Sequence, residues 1–127
     1  MERRSKFGVL LTDAQGNKVV REEDGHRFGS DLEWARYRQL KLLLAAGEIT
    51  DLRVHPRFEL LPRKRDCYGN WHKAVHYTAD FQYVEKTGHV VVEDTKGCIT
   101  DDAALRMRML WQWHPEIDLR ILHKEDI

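Results

Sequence analysis

The chain has 127 residues, enough for one domain with a single core, and its 21 basic residues balance 21 acidic ones. This balance argues against a histone-like or tail-driven nucleic-acid binder but allows a local basic patch. No apolar run could span a membrane, and the two cysteines, Cys67 and Cys98, give no disulfide framework. We therefore expect a cytoplasmic protein with no membrane partner.

Turn signals divide the beginning of the chain into short strands. The sequence predicts a strand from Phe7 to Leu11, a turn over 13–17, and a returning strand from Lys18 to Arg21. We interpret residues 1–24 as an N-terminal hairpin or arm and residues 25–127 as a single domain.

The first helix is predicted from its end signals. Ser30 is a good N-cap, Glu33 stands three residues later, and Gly47 closes the helix. Glu33 falls in the middle of the apolar face of this helix. Two interpretations of this carboxylate therefore stay open. Its carboxylate either completes a capping box with the Ser30 backbone N–H, or points from the helix start into a functional site.

Strand patterns occupy the middle of the chain. Residues 54–61 read as a strand, 62–66 as a basic loop, and 67–71 as a turn. Two further strands, over 75–83 and 89–96, most simply form an antiparallel hairpin because the link between them is short.

A second helix is predicted from Thr100 to Trp113, where His114-Pro115 stops it. Leu105, Met109 and Trp113 form a second apolar stripe beside the one that faces the core. A helix that is apolar on two sides packs on two sides. The second contact is either another part of the domain or a twin subunit, and we favour a homodimer.

The last strand, over 117–122, follows this helix and should return parallel to the strand that begins at Val90. We therefore predict an α/β fold. Its small mixed sheet consists of an antiparallel meander plus one parallel strand, and helices flank it.

Asp80, Asp94 and Lys96 are the candidate functional group. Asp94 and Lys96 project to the same side of their strand and Glu93 to the other, because strand side chains alternate. If Asp80 pairs on that side, two carboxylates share a small space and repel unless a positive charge lies between them. Mg²⁺ is the usual partner of such a site. The alternative is an ordinary salt bridge at a strand end.

Four motifs lie in this order along the chain: Phe28-Gly29-Ser30-x-x-Glu33-x-x-Arg36-Tyr37, His55-Pro56-x-Phe58-Glu59-Leu60, Tyr77-x-Ala79-Asp80-Phe81 and Val91-Val92-Glu93-Asp94-x-Lys96-Gly97. With the order of elements, they resemble the PD-(D/E)xK nuclease superfamily over residues 25–123. The closer resemblance is to small phage-encoded endonucleases of that superfamily that are similar to Holliday-junction resolvases. One departure is Ala79, which stands where the superfamily has proline.

The resemblance implies a restriction-endonuclease-like core and roles for the site residues. Asp80 and Asp94 would hold Mg²⁺ or Mn²⁺, with the Thr95 carbonyl as a further ligand. Lys96 would position or help to deprotonate the attacking water. Glu33 would hold a second metal ion or a metal-bound water. The catalytic set is therefore Glu33, Asp80, Asp94 and Lys96, and its chemistry is phosphodiester hydrolysis.

The implied partner is DNA, branched or otherwise distorted, in the host-cell cytoplasm if the chain is phage-encoded. By strand alternation, His76 and Gln82 could line the site. The basic residues expected to grip DNA are Arg36, Arg57, Arg63, Lys64, Arg65, Lys73, Arg106 and Arg108.

Three alternatives stay open from the sequence. The chain could be a non-catalytic DNA-binding or assembly protein that keeps the nuclease fold, or a nuclease of plain duplex DNA or of RNA. A zinc site assembled from Cys67, His72, His76 and Cys98 is a weaker possibility, because their spacing is not typical of zinc ligands.

Overall fold

The computed structural model describes residues 21–127, which form a mixed α/β fold with two α-helices and several small sheets. The α-helices are α1 (Asp31–Ala45) and α2 (Asp101–Trp113), and a 3-10 turn (Lys124–Asp126) follows the last strand. The strands are β1 (Arg21–Glu23), β2 (His26–Phe28), β3 (Ile49–Val54), β4 (Arg57–Leu61), β5 (Lys64–Arg65), β6 (Trp71–His72), β7 (Val75–Thr78), β8 (Phe81–Glu85), β9 (Val90–Thr95) and β10 (Asp118–Leu122).

The largest sheet has four strands in the order β10-β9-β8-β3. β3, β8 and β9 are antiparallel neighbours, and β10 lies parallel to β9 after the chain has passed through α2. The predicted meander with one parallel return is therefore present. Its first strand is β3, however, whereas the sequence pointed to residues 54–61.

The two faces of this sheet carry separate cores. One core packs α1 against β8 and β9 and contains Phe28, Tyr37, Leu40, Ile49, Phe81, Tyr83 and Val91. The other packs α2 against β9 and the β4–β7 pair and contains Leu60, Tyr77, Ala79, Val92, Met107 and Leu110. Helices therefore cover both faces of the sheet, as predicted.

One long hairpin runs from β3 to β8 and is interrupted at two levels, between the β3–β8 and β4–β7 pairs and between the β4–β7 and β5–β6 pairs. His55 and Pro56 separate β3 from β4, and Ala79 and Asp80 separate β7 from β8. Two backbone hydrogen bonds join the interruptions, from His55 N to the Asp80 carbonyl at 2.8 Å and from Ala79 N to the Pro56 carbonyl at 3.0 Å. The continuous strand predicted over 75–83 is therefore wrong, because the chain breaks beside Asp80.

Capping explains why both predicted helices are confirmed. Ser30 Oγ accepts a hydrogen bond from Glu33 N, and Thr100 Oγ1 accepts one from Ala103 N, each at 3.1 Å. At the C-terminal end of α1, Gly47 has a φ of 76°, in the left-handed region that glycine adopts without strain.

β1 and β2 form a hairpin around Asp24 and Gly25, whose φ angles of 53° and 81° are typical of a two-residue turn. The boundary predicted between residues 24 and 25 lies inside this hairpin. The predicted strand over 7–11 and residues 18–20 of the strand predicted over 18–21 lie outside the described residues, and Arg21 begins β1. No helix within 21–127 combines the length and apolar character needed to cross a membrane.

Candidate metal centre

Asp80 and Asp94 come from the neighbouring strands β8 and β9. The register pairs Phe81 with Glu93, and continuing it by one position sets Asp80 opposite Asp94. Lys96 follows two residues later, and its Nζ lies 3.1 Å from Asp94 Oδ2. The predicted group of two carboxylates and a lysine is therefore assembled at one end of the β8–β9 hairpin.

Each of these carboxylates is fixed through one oxygen only. Asp80 Oδ2 accepts hydrogen bonds from Thr95 N and Thr95 Oγ1, both at 2.7 Å. Asp94, which is 2% exposed, accepts a bond from the Tyr77 hydroxyl on Oδ2 at 2.5 Å. Within residues 21–127, no group donates to Oδ1 of Asp80 or Asp94, so each keeps an oxygen that can bind a cation.

The capping box that the sequence offered for Glu33 is not formed with Ser30 N, and the functional role of Glu33 stays a prediction. Its backbone N–H donates to Ser30 Oγ, while its Oε2 accepts from Gly29 N at 3.1 Å instead of from Ser30 N. Its Oε1 lies 2.6 Å from His55 Nε2. Glu33 thus stabilises the start of α1 and also reaches the interruption of the long hairpin.

His55 is a site residue that sequence reasoning missed. Ligand atoms of Glu33, His55 and Asp80 all lie within 4.8 Å of one another. His55 has a φ of 55°, which is uncommon for a residue with a side chain. The available signal was its place before Pro56, where a strand pattern is interrupted.

Burial and neighbouring carboxylates together set the electrostatics of the site. Burial, followed by repulsion from Asp94 and Glu33, raises the pKa of Asp80 to about 7. The two hydrogen bonds from Thr95 lower the pKa but do not offset these effects. Burial and the bond to Asp94 likewise raise the pKa of the Tyr77 hydroxyl. A cation near Asp80 would relieve this repulsion.

The chain matches one protein family in sequence. The family model of DUF1064, described as a protein of unknown function, matches residues 13–125. The chain belongs to this family. No curated protein and no solved structure shows a significant match to it. The matched region of this DUF1064 member contains Glu33, His55, Asp80, Asp94 and Lys96.

Glu93 lies on the opposite face of β9 and is 1% exposed. Arg36 donates to both of its oxygens, from Nε at 2.7 Å and from Nη2 at 2.6 Å. The Tyr83 hydroxyl also donates to Glu93. This corrects the prediction for Arg36: its guanidinium links α1 to the sheet, and we leave it out of the DNA-contacting set.

The interruption before β8 also corrects the prediction for His76. Regular alternation would place His76 on the Asp80 side, but the break shifts the pattern by one residue, and Tyr77 contacts Asp94 instead. His76 Nδ1 accepts from Arg57 Nη2 at 3.2 Å. Gln82 pairs with Val92 and so shares the Asp94 face, where its role as a lining residue stays a prediction.

The zinc alternative gains no geometric support. Cys67 and Cys98 are exposed, and His72 Nε2 lies 2.7 Å from Asp66 Oδ2. In the part of the chain that the structure describes, the group able to hold a metal ion is the carboxylate–histidine cluster around Asp80.

The remaining basic residues lie on β4, on α2 and near the end of the long hairpin. Arg106 donates to the His76 carbonyl at 2.8 Å, whereas Arg57 and Arg108 are exposed. The exposed residues near the hairpin end are Arg63, Lys64, Arg65 and Lys73.

Proposed function

We propose that this chain is a metal-dependent DNA endonuclease of the PD-(D/E)xK type that hydrolyses phosphodiester bonds, preferably in branched or distorted DNA. The observation that carries the proposal is the grouping of Asp80, Asp94 and Lys96 at one end of the β8–β9 hairpin, where burial and the neighbouring carboxylates raise the pKa of Asp80. The parallel return of β10 and the helices on both faces are consistent with a restriction-endonuclease-like core.

The donor atoms fit a hard divalent cation. Asp80 and Asp94 each retain one oxygen without a hydrogen-bond donor in the described chain, and Glu33 adds a third carboxylate. Mg²⁺ and Mn²⁺ both prefer carboxylate oxygens, and imidazole additionally suits transition metals. We therefore propose that Asp80 and Asp94 hold Mg²⁺ or Mn²⁺ with the Thr95 carbonyl, and that Glu33 and His55 contribute to a second position.

The cation would supply a nucleophile from water near neutral pH and would neutralise charge on the phosphate. The chain's own groups position the reactants. Lys96 is partly exposed beside Asp94, so its ammonium can donate to a phosphate oxygen or to the attacking water. Thr95 and Tyr77 act as positioning residues, because their hydrogen bonds fix the orientations of Asp80 and Asp94.

Cleavage of matched four-way-junction, flap and linear duplex DNA, with Mg²⁺, Mn²⁺ or EDTA, tests the proposal. We expect metal-dependent cleavage that Asp80→Asn and Lys96→Ala each abolish and that His76→Ala, outside the site, leaves intact. The preferred DNA then identifies the substrate class, with an RNA duplex as a further comparison. Binding without cleavage under either metal would contradict the catalytic proposal.

A second candidate, a non-catalytic DNA-binding protein, is favoured by the contacts that already occupy the site. Lys96 pairs with Asp94, and His55 pairs with Glu33. Calorimetric titration with Mn²⁺ distinguishes the candidates without measuring activity. A non-catalytic protein whose carboxylates stay paired with Lys96 and His55 would bind no ion. For an intact site, His55→Ala should weaken Mn²⁺ binding by about 10- to 100-fold, whereas the control variant His76→Ala should not.

A further inference from the structure

The far end of the long hairpin carries exposed aromatic side chains. We call residues 63–73 the tip hairpin: it consists of β5, β6 and the turn between them. Tyr68 at the turn is 87% exposed, and Trp71 on β6 is 55% exposed. A single exposed apolar side chain is ordinary on a protein surface, so what distinguishes these two rings is that they share one short hairpin.

The turn that presents Tyr68 is held by a network around Asp66. Asp66 Oδ1 accepts from Tyr68 N at 2.8 Å and from Asn70 N at 3.0 Å, while Oδ2 lies 2.7 Å from His72 Nε2. Arg65 Nε adds a bond to the Gly69 carbonyl at 3.1 Å. The aromatic ring at the end of the turn therefore projects from a defined backbone, which lowers the entropy lost on binding.

Positive charge surrounds the aromatic rings. The tip hairpin contains four lysine and arginine residues and one carboxylate, Asp66, although the whole chain is neutral. The Arg63 guanidinium lies over the Trp71 ring, 4.0 Å from its centroid, and the Arg65 guanidinium lies 5.8 Å from it. The combination of cations with exposed aromatic rings is typical of surfaces that bind single-stranded nucleic acid, where bases stack and phosphates pair with cations.

We propose that the tip hairpin binds DNA at unpaired or unstacked bases, with Tyr68 and Trp71 stacking on the bases and the neighbouring cations contacting the phosphates. This inference rests on the proposed function for its ligand, and it deepens that function by identifying what selects branched over continuous DNA. A paired, stacked duplex offers phosphates but no free base faces. The tip hairpin would therefore discriminate between the two substrates through its aromatic rings.

The distance along the chain is compatible with this role. Thirteen residues separate His55, beside the candidate metal centre, from Tyr68. At ~3.3 Å per residue the two are at most roughly 43 Å apart, which is comparable to one turn of duplex DNA. A single DNA molecule can therefore contact both the tip hairpin and the metal centre.

The test measures binding by full-length protein in the Asp80→Asn background, so that the result does not depend on cleavage. The probes are a labelled duplex with a central single-stranded gap and the matched continuous duplex. Tyr68→Ala or Trp71→Ala should weaken binding to the gapped probe by about 5- to 150-fold, the loss expected for one stacked base. Binding to the continuous duplex should change by less than about two-fold.

Three further variants separate stacking from other effects. Tyr68→Phe keeps the ring and should retain affinity for the gapped probe, and Leu42→Ala removes an exposed apolar side chain of α1 and should have no effect. Lys64→Gln should weaken binding to both probes equally. It should also lower the slope of log affinity against log salt concentration by about one. Unchanged binding of the gapped probe in both aromatic variants, or an equal loss on both probes, would overturn the proposal. If the wild-type protein cuts no DNA with either metal while the selectivity for the gapped probe is intact, only the catalytic assignment is contradicted.

Discussion

Asp80 is held in an environment that disfavours its charge, which is the arrangement expected of a binding group rather than of a structural one. Asp94 and Glu33 repel its carboxylate, and burial removes it from water. A buried carboxylate whose pKa is raised in the folded state reduces the stability of the protein at neutral pH. This loss of stability should be visible as a dependence of the free energy of unfolding on pH.

We predict that Asp80→Asn stabilises the metal-free protein more at about pH 8 than at about pH 5. Between the ordinary value of 3.8 and the folded value of about 7, the folded protein keeps a proton that the unfolded chain releases. The contribution of Asp80 to stability is therefore present below about pH 4 and is lost as the pH rises through about 7. Asparagine still accepts the Thr95 bonds without the charge. Thermal unfolding in EDTA should show a gain of about 5 °C at the higher pH.

The control for this prediction is Asp51→Asn, which removes an exposed carboxylate that pairs with Arg53 outside the site. Its melting temperature should follow the wild type at both pH values. An equal shift for Asp80→Asn at both pH values would contradict the proposed repulsion.

At the scale of single residues, the sequence placed Asp80, Asp94 and Lys96 together correctly, because strand alternation is a local pattern, while the roles of these residues and of Glu33 stay predictions. It missed His55, whose place beside Asp80 depends on two chain interruptions that face each other across the hairpin. No local sequence pattern predicts that these two interruptions lie opposite each other.

α1 is joined to the sheet by one buried ion pair. Arg36 on α1 and Glu93 on β9 form two hydrogen bonds, and only 16% of the arginine side chain and 1% of the glutamate are exposed. Removing one partner of a buried pair leaves an uncompensated charge, which costs far more than removing an exposed partner.

We predict that Arg36→Met lowers the free energy of unfolding by about 3–5 kcal/mol in urea. Adding Glu93→Gln should restore much of this loss, because glutamine is neutral and can still accept the Tyr83 hydrogen bond. Arg53→Met, which breaks the exposed pair with Asp51, should cost less than about 1 kcal/mol. Equal losses for Arg36→Met and Arg53→Met would contradict the structural role assigned to Arg36.

Among the elements, both helices were predicted closely because capping residues mark their ends. β3 was missed, since Thr50, Asp51 and Arg53 give it a polar pattern and its place in the sheet depends on pairing with β8. The break at Ala79 was missed for a related reason. Its apolar side chain fits a strand, and the break appears only in the backbone pairing, where Ala79 N bonds to the Pro56 carbonyl and His55 N to the Asp80 carbonyl.

At the scale of the whole molecule, the homodimer stays a prediction with a defined surface. Leu105 and Trp113 are exposed on the outer side of α2, and Met109 between them is half-buried. Two copies could bury this stripe against each other and bring two metal centres to two DNA strands. We predict that sedimentation velocity shows a dimer that Leu105→Glu dissociates, because a buried charge without a partner disfavours association.

The control is Leu42→Glu, which alters an exposed leucine on α1. It should leave the sedimentation coefficient unchanged. A wild-type protein that is monomeric at high concentration would refute the dimer and leave the α2 stripe unexplained.

The position of the tip hairpin has an evolutionary consequence. None of the residues that form the two described cores lies between 62 and 74, so that segment is attached to the domain without supporting it. Its sequence can therefore diverge, lengthen or be exchanged for another loop while folding and the carboxylate cluster stay intact. If the chain is the proposed nuclease and the tip hairpin selects its substrate, new DNA preferences can arise by replacement of this segment alone, with the carboxylate cluster inherited unchanged.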